Sequence, residues 1–533
     1  MTSPFSRRSL LATLLASTLL AASAAAPVFA ETVLNKVNGG EPQTLDPGHT
    51  SIDVEEMIVK DLFEGLLVYD AAGKIIPGAA ESWTISKDGA TYTFKIRANA
   101  KWSNGDPVTA GDFVYSFGRV ENPKEAATYA NILYPIKNAQ AINGGKAELS
   151  TLGAKALDDK TLELTLERPT PYILQLLAHQ TALPVHKASI EKFGKDWIKP
   201  GNMVTNGAYM LTENVANDHI TMVKNPNYWD GANVKIDKVV DYPIEDQAAS
   251  QQRFLAGEMD MVFNFQADQR EFLKGKIGDQ VHVWPSVANY YYEFDERQPP
   301  FDDVRVRRAL SMAIDRDFLA NKIFSGANLP CYSWVPPGIE GYTPALPDFA
   351  SMSQLDREDK AKALLKEAGY GEGGKPLKIE IRYNTNDNHK KAALAVADNW
   401  KALGAEVTLF NSDVKTHYSY LETGGAFNAA RAAWVADYAD PENFLAMKIS
   451  TNKSFNYGHY SNPEYDELLK KSYEERDLVI RSKMLEDAEA LLARDQPAAT
   501  VMTNAALWLV STKVKGFVDN SVNQHMTRFL SLQ

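Results

Sequence analysis

Cysteine is almost absent from this 533-residue chain, and Cys331 is the only one. A single thiol excludes an intramolecular disulfide and a cysteine-based zinc cluster. Cys331 itself reads as a buried small hydrophobe rather than a nucleophile. An excess of base is missing too. With 56 Lys and Arg against 68 Asp and Glu, the formal charge is −12. That argues against nucleic-acid partners, whose affinity comes largely from Lys and Arg on phosphates. Beyond residue 30 no apolar run approaches the ~20 residues of a membrane span. The chain also lacks a fixed-period repeat, a low-complexity tract and a sharp linker. Its length suggests about three to four domains, and these are expected to be intimately connected.

Catalytic signatures are equally scarce. The nine histidines are scattered and form no H-E-x-x-H motif, so no metal is assigned. G-x-S-x-G is missing. Gly369 to Gly374 formally matches G-x-G-x-x-G, but it follows a helical pattern and precedes the strand-like 377–383. A nucleotide fingerprint has the reverse context, so a glycine helix cap and turn is expected. Neither a catalytic residue nor a cofactor follows from the sequence.

What is present begins with an export signal. Arg7 and Arg8 precede an uncharged, largely apolar stretch from Ser9 to Ala26, and Val28-Phe29-Ala30 places small residues at a cleavage site before Glu31. Residues 1–30 are therefore expected to be a cleavable signal peptide. Ser6-Arg7-Arg8-Ser9-Leu10-Leu11 also resembles a twin-arginine signal. Cleavage would leave 54 of the 56 basic residues against 68 acidic ones, a net charge near −14.

The mature part mixes strands and helices irregularly, which predicts an α+β fold with mixed sheets. Residues 91–97 and 161–167 alternate as half-buried strands. Asp302-Asp303 caps a predicted helix over 304–313, and helices are also expected over 357–368, 388–403 and 477–494. In Asn289-Tyr290-Tyr291-Tyr292-Glu293-Phe294, strand alternation puts Tyr290, Tyr292 and Phe294 on one face. The plain expectation there is a core strand with its other face solvated. Alternation from Arg431 to Asp437 would likewise align Arg431, Ala433, Val435 and Asp437. The pattern alone leaves Asp437 either as a turn or cap residue or as a carboxylate awaiting a cation.

Several longer segments carry a resemblance. They are Asp61-Leu62-Phe63-Glu64-Gly65-Leu66, Pro77 to Trp83 running on to Lys101-Trp102-Ser103-Asn104-Gly105, and Asp112-Phe113-Val114-Tyr115-Ser116. Further on come Val204 to Tyr209, Asn227-Tyr228-Trp229, Pro299 to Arg305, and Trp434-Val435-Ala436-Asp437-Tyr438. From about Leu34 to its end the chain resembles the periplasmic oligopeptide-binding proteins of ABC importers, in the peptide/nickel class of solute-binding proteins. The resemblance implies a bilobed fold with two hinged lobes and an extra domain. Lobe I would comprise 31–63, 188–287 and 505–533, the extra domain 64–187, and lobe II 288–504. It also implies a non-catalytic, monomeric receptor in the periplasm that captures short peptides and delivers them to an ABC permease.

By resemblance, Asp437 would hold the ligand's α-ammonium, and Arg431 and His389 would meet its carboxylate. Tyr129, Tyr291, Asn384, Ala433 and Trp434 would line the cleft. The physics is coherent, because a buried ammonium needs a fixed carboxylate. Peptide backbone would pair with protein backbone as an added strand. This sequence also departs from the family. Ala288 and Val435 stand where well-known members carry a disulfide, Phe324 where a ligand-facing lysine is found, and Ser51 where an acidic residue is found. Residues 414–425 align poorly. A receptor specialised for one ligand, such as a murein peptide or an opine-like conjugate, is the alternative. A secreted hydrolase has no motif in its favour.

Overall fold

The computed structural model describes residues 31–533 other than 171, 340, 372, 439, 476 and 521, so the expected signal peptide lies outside the described residues. Ten strands form one mixed sheet: β1 (Val33–Val37), β2 (Tyr209–Val215), β3 (His219–Lys224), β4 (Lys238–Tyr242), β5 (Met261–Phe263), β6 (Val281–Phe294), β7 (Lys378–Asn384), β8 (Glu406–Ser412), β9 (Ala429–Val435) and β10 (Ala498–Val510). Their spatial order is β8-β7-β9-β6-β10-β5-β1-β4-β3-β2. The pairs β1/β4, β1/β5, β7/β8 and β7/β9 are parallel, and the others are antiparallel.

The long strands β6 and β10 are the middle of this sheet. They pair from Val281↔Leu509 to Glu293↔Ala498, with register breaks between Pro285 and Asn289 and between Tyr290 and Tyr291. Proline cannot donate to the ladder, so a break at Pro285 is expected. A separate antiparallel sheet joins Ala80–Ile85, Thr91–Ile96, Thr161–Thr165 and Ala154–Asp158.

The tyrosine run behaves differently from the half-solvated strand that its alternation suggested. Tyr290, Tyr291 and Tyr292 are all fully buried. Tyr290, Tyr292 and Phe294 enter one apolar core with Val306, Leu310 and Trp400, whereas Tyr291 enters a second core on the other face with Trp334 and Trp434. The central strand separates two cores, so both faces are dry.

The helices follow their caps. The five used below are α1 (Asp53–Leu62), α2 (Val304–Ala313), α3 (Gln354–Glu367), α4 (Asp387–Lys401) and α5 (Leu478–Asp495). Asp303 caps α2 by accepting from the Arg305 N–H at 2.8 Å, and Asp477 caps α5 in the same way. After α3, Gly369 takes a φ of +85°, the left-handed conformation that ends helices. The glycine-rich segment is thus a turn between α3 and β7. Cys331 is buried beside Ser333. No helix among the described residues is long and apolar enough to cross a membrane.

Candidate ligand-binding site

The site grows from β9. Ala436 donates its backbone N–H to Val287, and the β6/β9 register pairs Tyr291 with Ala432, Tyr290 with Ala433 and Ala288 with Val435. In an antiparallel ladder hydrogen-bonded pairs alternate. Residues 432, 434 and 436 therefore turn their backbone groups toward β6, and 433 and 435 turn theirs away. On that far side β7 pairs only with Ala429 and Ala430. The Arg431 carbonyl on that side accepts from His417 Nε2 at 3.0 Å, and from Ala432 onward β9 has a free edge among the described residues, with a cavity of about 180 Å³ along it.

Asp437 stands just past the end of β9. Its Oδ2 accepts from Asn443 Nδ2 at 3.1 Å, and its own N–H donates to Asn443 Oδ1 at 3.2 Å. His179 Nε2 lies 3.2 Å from Oδ1 without the alignment of a hydrogen bond. No Lys or Arg pairs with Asp437 among the described residues.

Trp434 shares the same support, donating its indole N–H to Asn443 Oδ1 at 2.8 Å. Tyr129 stacks on Trp434 with ring centroids 5.8 Å apart. Phe455 closes the aromatic wall, 4.4 Å from Tyr129 and 4.9 Å from Trp434.

Arg431 supplies the opposite charge. It is buried, and its Nη1 donates to Asn384 Oδ1 at 3.1 Å and to the Tyr418 hydroxyl at 3.2 Å. Its guanidinium lies 4.5 Å from the Tyr290 ring. No carboxylate lies within 4.0 Å among the described residues, and Nε is buried without a partner. A permanent cation buried against neutral groups is poised for an anion.

His389 begins α4 and is buried rather than superficial, with Nδ1 3.3 Å from the Tyr290 hydroxyl. Burial, and then the charges of Arg431 and His417, hold its imidazole well below the usual range. It is neutral at physiological pH.

Asp437, Arg431, His389, Trp434, Tyr129, Asn384 and Ala433 all line this one cavity. Tyr291 does not. Its register position opposite Ala432 turns it to the face away from Arg431 and Ala433. It packs there on Trp334 at 4.7 Å. Within the tyrosine run, Tyr290 is the residue that meets Arg431 and His389.

The family described as bacterial extracellular solute-binding proteins, family 5, matches residues 74–456. The chain belongs to that family. The periplasmic oligopeptide-binding protein OppA of Escherichia coli is 42% identical over 92% of this chain and 91% of its own. The solved structure of the murein tripeptide binding protein MppA of Escherichia coli superposes with a TM-score of 0.91 at 38% identity, covering 95% of this chain and 99% of that one. Haemophilus influenzae OppA, solved in complex with RPPGFSPFR, gives 0.90 at 35% identity, covering 95% and 99%. These neighbours make the bilobed, mixed α and β fold of this solute-binding family a finding.

The conformation is informative as well. Against MppA in its unliganded open form, the TM-score falls to 0.64 at the same 38% identity, over 95% of this chain and 98% of that one. A fall without a change of sequence or coverage is a difference of lobe arrangement. The arrangement of this chain is therefore nearer to that of the peptide complex of Haemophilus influenzae OppA than to the open form of MppA.

Several site residues carried no sequence signal. Asn443 looks like any residue of a short helix. Tyr418 meets Arg431 only through the tertiary fold. Glu55 fixes the loop leading into α1 by accepting from the N–H groups of Gln43, Thr44, Ser51 and Ile52. The Glu55 contact with Ser51 and Ile52 fits a capping pattern, but the reach back to Gln43 and Thr44 has no local signature.

Proposed function

We propose that this protein is a non-catalytic periplasmic receptor that captures short peptides between two closing lobes and passes them to an ABC permease. One observation carries the reading. On a single strand edge, Arg431 and Asp437 offer opposite charges without a permanent ionic partner, and the backbone between them is unpaired on that side. Six residues of extended chain put their backbones at most about 20 Å apart. A short peptide has the matching layout, with an ammonium at one end, a carboxylate at the other and a strand-like backbone between. Asp437 takes the ammonium, and Arg431 takes the carboxylate with neutral His389 beside it. Ala433 contributes its backbone, and Tyr129 and Trp434 form the apolar wall.

Lobe I as 31–63, 188–287 and 505–533, an extra domain at 64–187 and lobe II as 288–504 form part of the same proposal. The hinge then falls where the β6/β10 ladder is broken. Cross-cleft bonds would hold the closed state, including Ser51 Oγ to Glu422 at 2.6 Å and the Val414 N–H to Glu245 at 2.8 Å. Residues 1–30 direct export and are removed, and the mature receptor works as a monomer.

The test is to denature the purified protein and identify what is released by mass spectrometry, with calorimetry of added tripeptides alongside. Short peptides among the released molecules, or tripeptide binding, support the reading. One dominant non-peptide compound with no tripeptide binding overturns it.

A further inference from the structure

Four carboxyls line the cavity: Asp53, Glu56, Glu245 and Asp437. Glu56 is neutralised by Lys60 at 2.6 Å. Glu245 accepts from the Val414 N–H, and Asp437 from Asn443. Asp53 alone has no hydrogen-bond or ion-pair partner among the described residues. It is the first residue of α1 and also lines a smaller annex of about 40 Å³ beside the main cavity. Arg431 lines both spaces too but does not come within ion-pair distance of it.

Resting on the peptide-receptor reading above, we infer that Asp53 selects for charge: the receptor prefers peptides that carry a cationic side chain, with the cation lodged against the Asp53 carboxylate. The cavity's charge balance is the reason. Lys60 is already committed to Glu56, so among the described residues Arg431 is the only other permanent cation facing the site. A peptide with a neutral side chain satisfies Asp437 and Arg431 through its two termini and leaves Asp53 enclosed without a countercharge. Enclosing an unpaired carboxylate is costly. A Lys or Arg side chain removes that cost, and a ligand Glu or Asp adds repulsion.

The groups facing Asp53 agree. Burial, then the charges of Glu56 and Asp437, push its carboxyl up to about 7 against the opposing pull of Arg431. Tyr129 and Tyr418 also feel its charge, and His389 beside it is neutral. Closing over a neutral ligand therefore draws a proton onto Asp53 near neutral pH, and a cationic ligand displaces that proton.

Calorimetry at pH 7.5 with Ala-Ala-Ala, Lys-Ala-Ala, Ala-Lys-Ala, Ala-Ala-Lys and Ala-Glu-Ala tests this. The expected result is that at least one lysine tripeptide binds tenfold or more tightly than Ala-Ala-Ala, and that Ala-Glu-Ala binds more weakly. In Asp53→Asn that ratio collapses to within about threefold, and in Asp53→Glu it persists, with both variants checked for a single thermal unfolding transition. Repeating the titrations in buffers of different ionisation heat should give more proton uptake with Ala-Ala-Ala than with the preferred lysine peptide. If Ala-Ala-Ala binds as tightly as every lysine peptide, or if Asp53→Asn keeps the preference, the inference is wrong and the peptide reading stands. If no tripeptide binds and the denatured protein releases one dominant non-peptide compound, both fall, and if no tripeptide binds while short peptides are released, the inference alone falls.

Discussion

The side-chain amide of Asn443 donates to Asp437 Oδ2 at 3.1 Å, and its carbonyl oxygen accepts from the Asp437 N–H and the Trp434 indole. One amide thus sets both the carboxylate and the aromatic wall beside it. Replacing Asn443 by Ala leaves the buried indole N–H unpaired and the carboxylate free to rotate. A lost partner of this kind costs about 1–3 kcal/mol. Asn443→Ala should lower thermal stability and weaken peptide binding about tenfold, and Asp437→Asn should weaken it by about 2–4 kcal/mol through loss of the charge-assisted pair. Calorimetry of a tripeptide reads both, and unchanged affinity in Asp437→Asn would remove the anchor.

Arg431 meets an amide, a hydroxyl and an aromatic ring, but no acid. Its counterion is expected from the ligand. The protein should therefore bind a tripeptide acid at least tenfold more tightly than the same tripeptide with a C-terminal amide. Arg431→Gln should abolish that discrimination. Equal affinity of acid and amide for the unsubstituted protein would refute the assignment.

Tyr291 provides a control. Its hydroxyl is buried without a hydrogen-bond partner among the described residues, and its ring lies on the far face of β6 from Arg431. Deleting a buried unsatisfied hydroxyl is neutral or stabilising, by up to about 1 kcal/mol. Tyr291→Phe should melt at the same or a higher temperature and keep its ligand affinity. A large loss of affinity would return this tyrosine to the site.

Glu121 sets a pH dependence. Both of its carboxyl oxygens are buried without partners among the described residues, and burial holds the group well above its ordinary 4.5. In this window the folded state keeps a proton that the unfolded state releases. The stability contributed by this group is therefore full below pH 4.5 and declines as pH rises, by at most about 1.4 kcal/mol per unit. Glu121→Gln should raise the melting temperature at pH 8 much more than at pH 5. An equal effect at both would mean that the carboxyl is ionised in the fold.

The local elements were largely legible in the sequence. Asp303 and Asp477 announce their helices, Gly369 ends another, and alternation marks Thr91–Ile96 and Thr161–Thr165. The resemblance brought seven of its eight expected residues to one cavity. The eighth, Tyr291, went elsewhere because its place opposite Ala432 packs it into the dry core on Trp334, which the alternation of its own strand does not reveal. Asp53 gave no warning either. An acidic residue in the first turn of a helix is ordinary, favoured there by the helix dipole. Its isolation becomes visible only when Arg431 and Asp437 arrive from hundreds of residues away.

The free edge of β9 has a consequence beyond binding. An unpaired strand edge ordinarily invites the edges of other proteins, and sheets guard it with charge, proline or cover. Here the unpaired run is only from Ala432 to Val435, is flanked by the charged side chains of Arg431 and Asp437 and lies inside a closing cleft. A folded neighbour's sheet is too broad to reach it, whereas a loose chain with free ends can slide in. Recessing the edge thus separates peptide capture from aggregation by size alone.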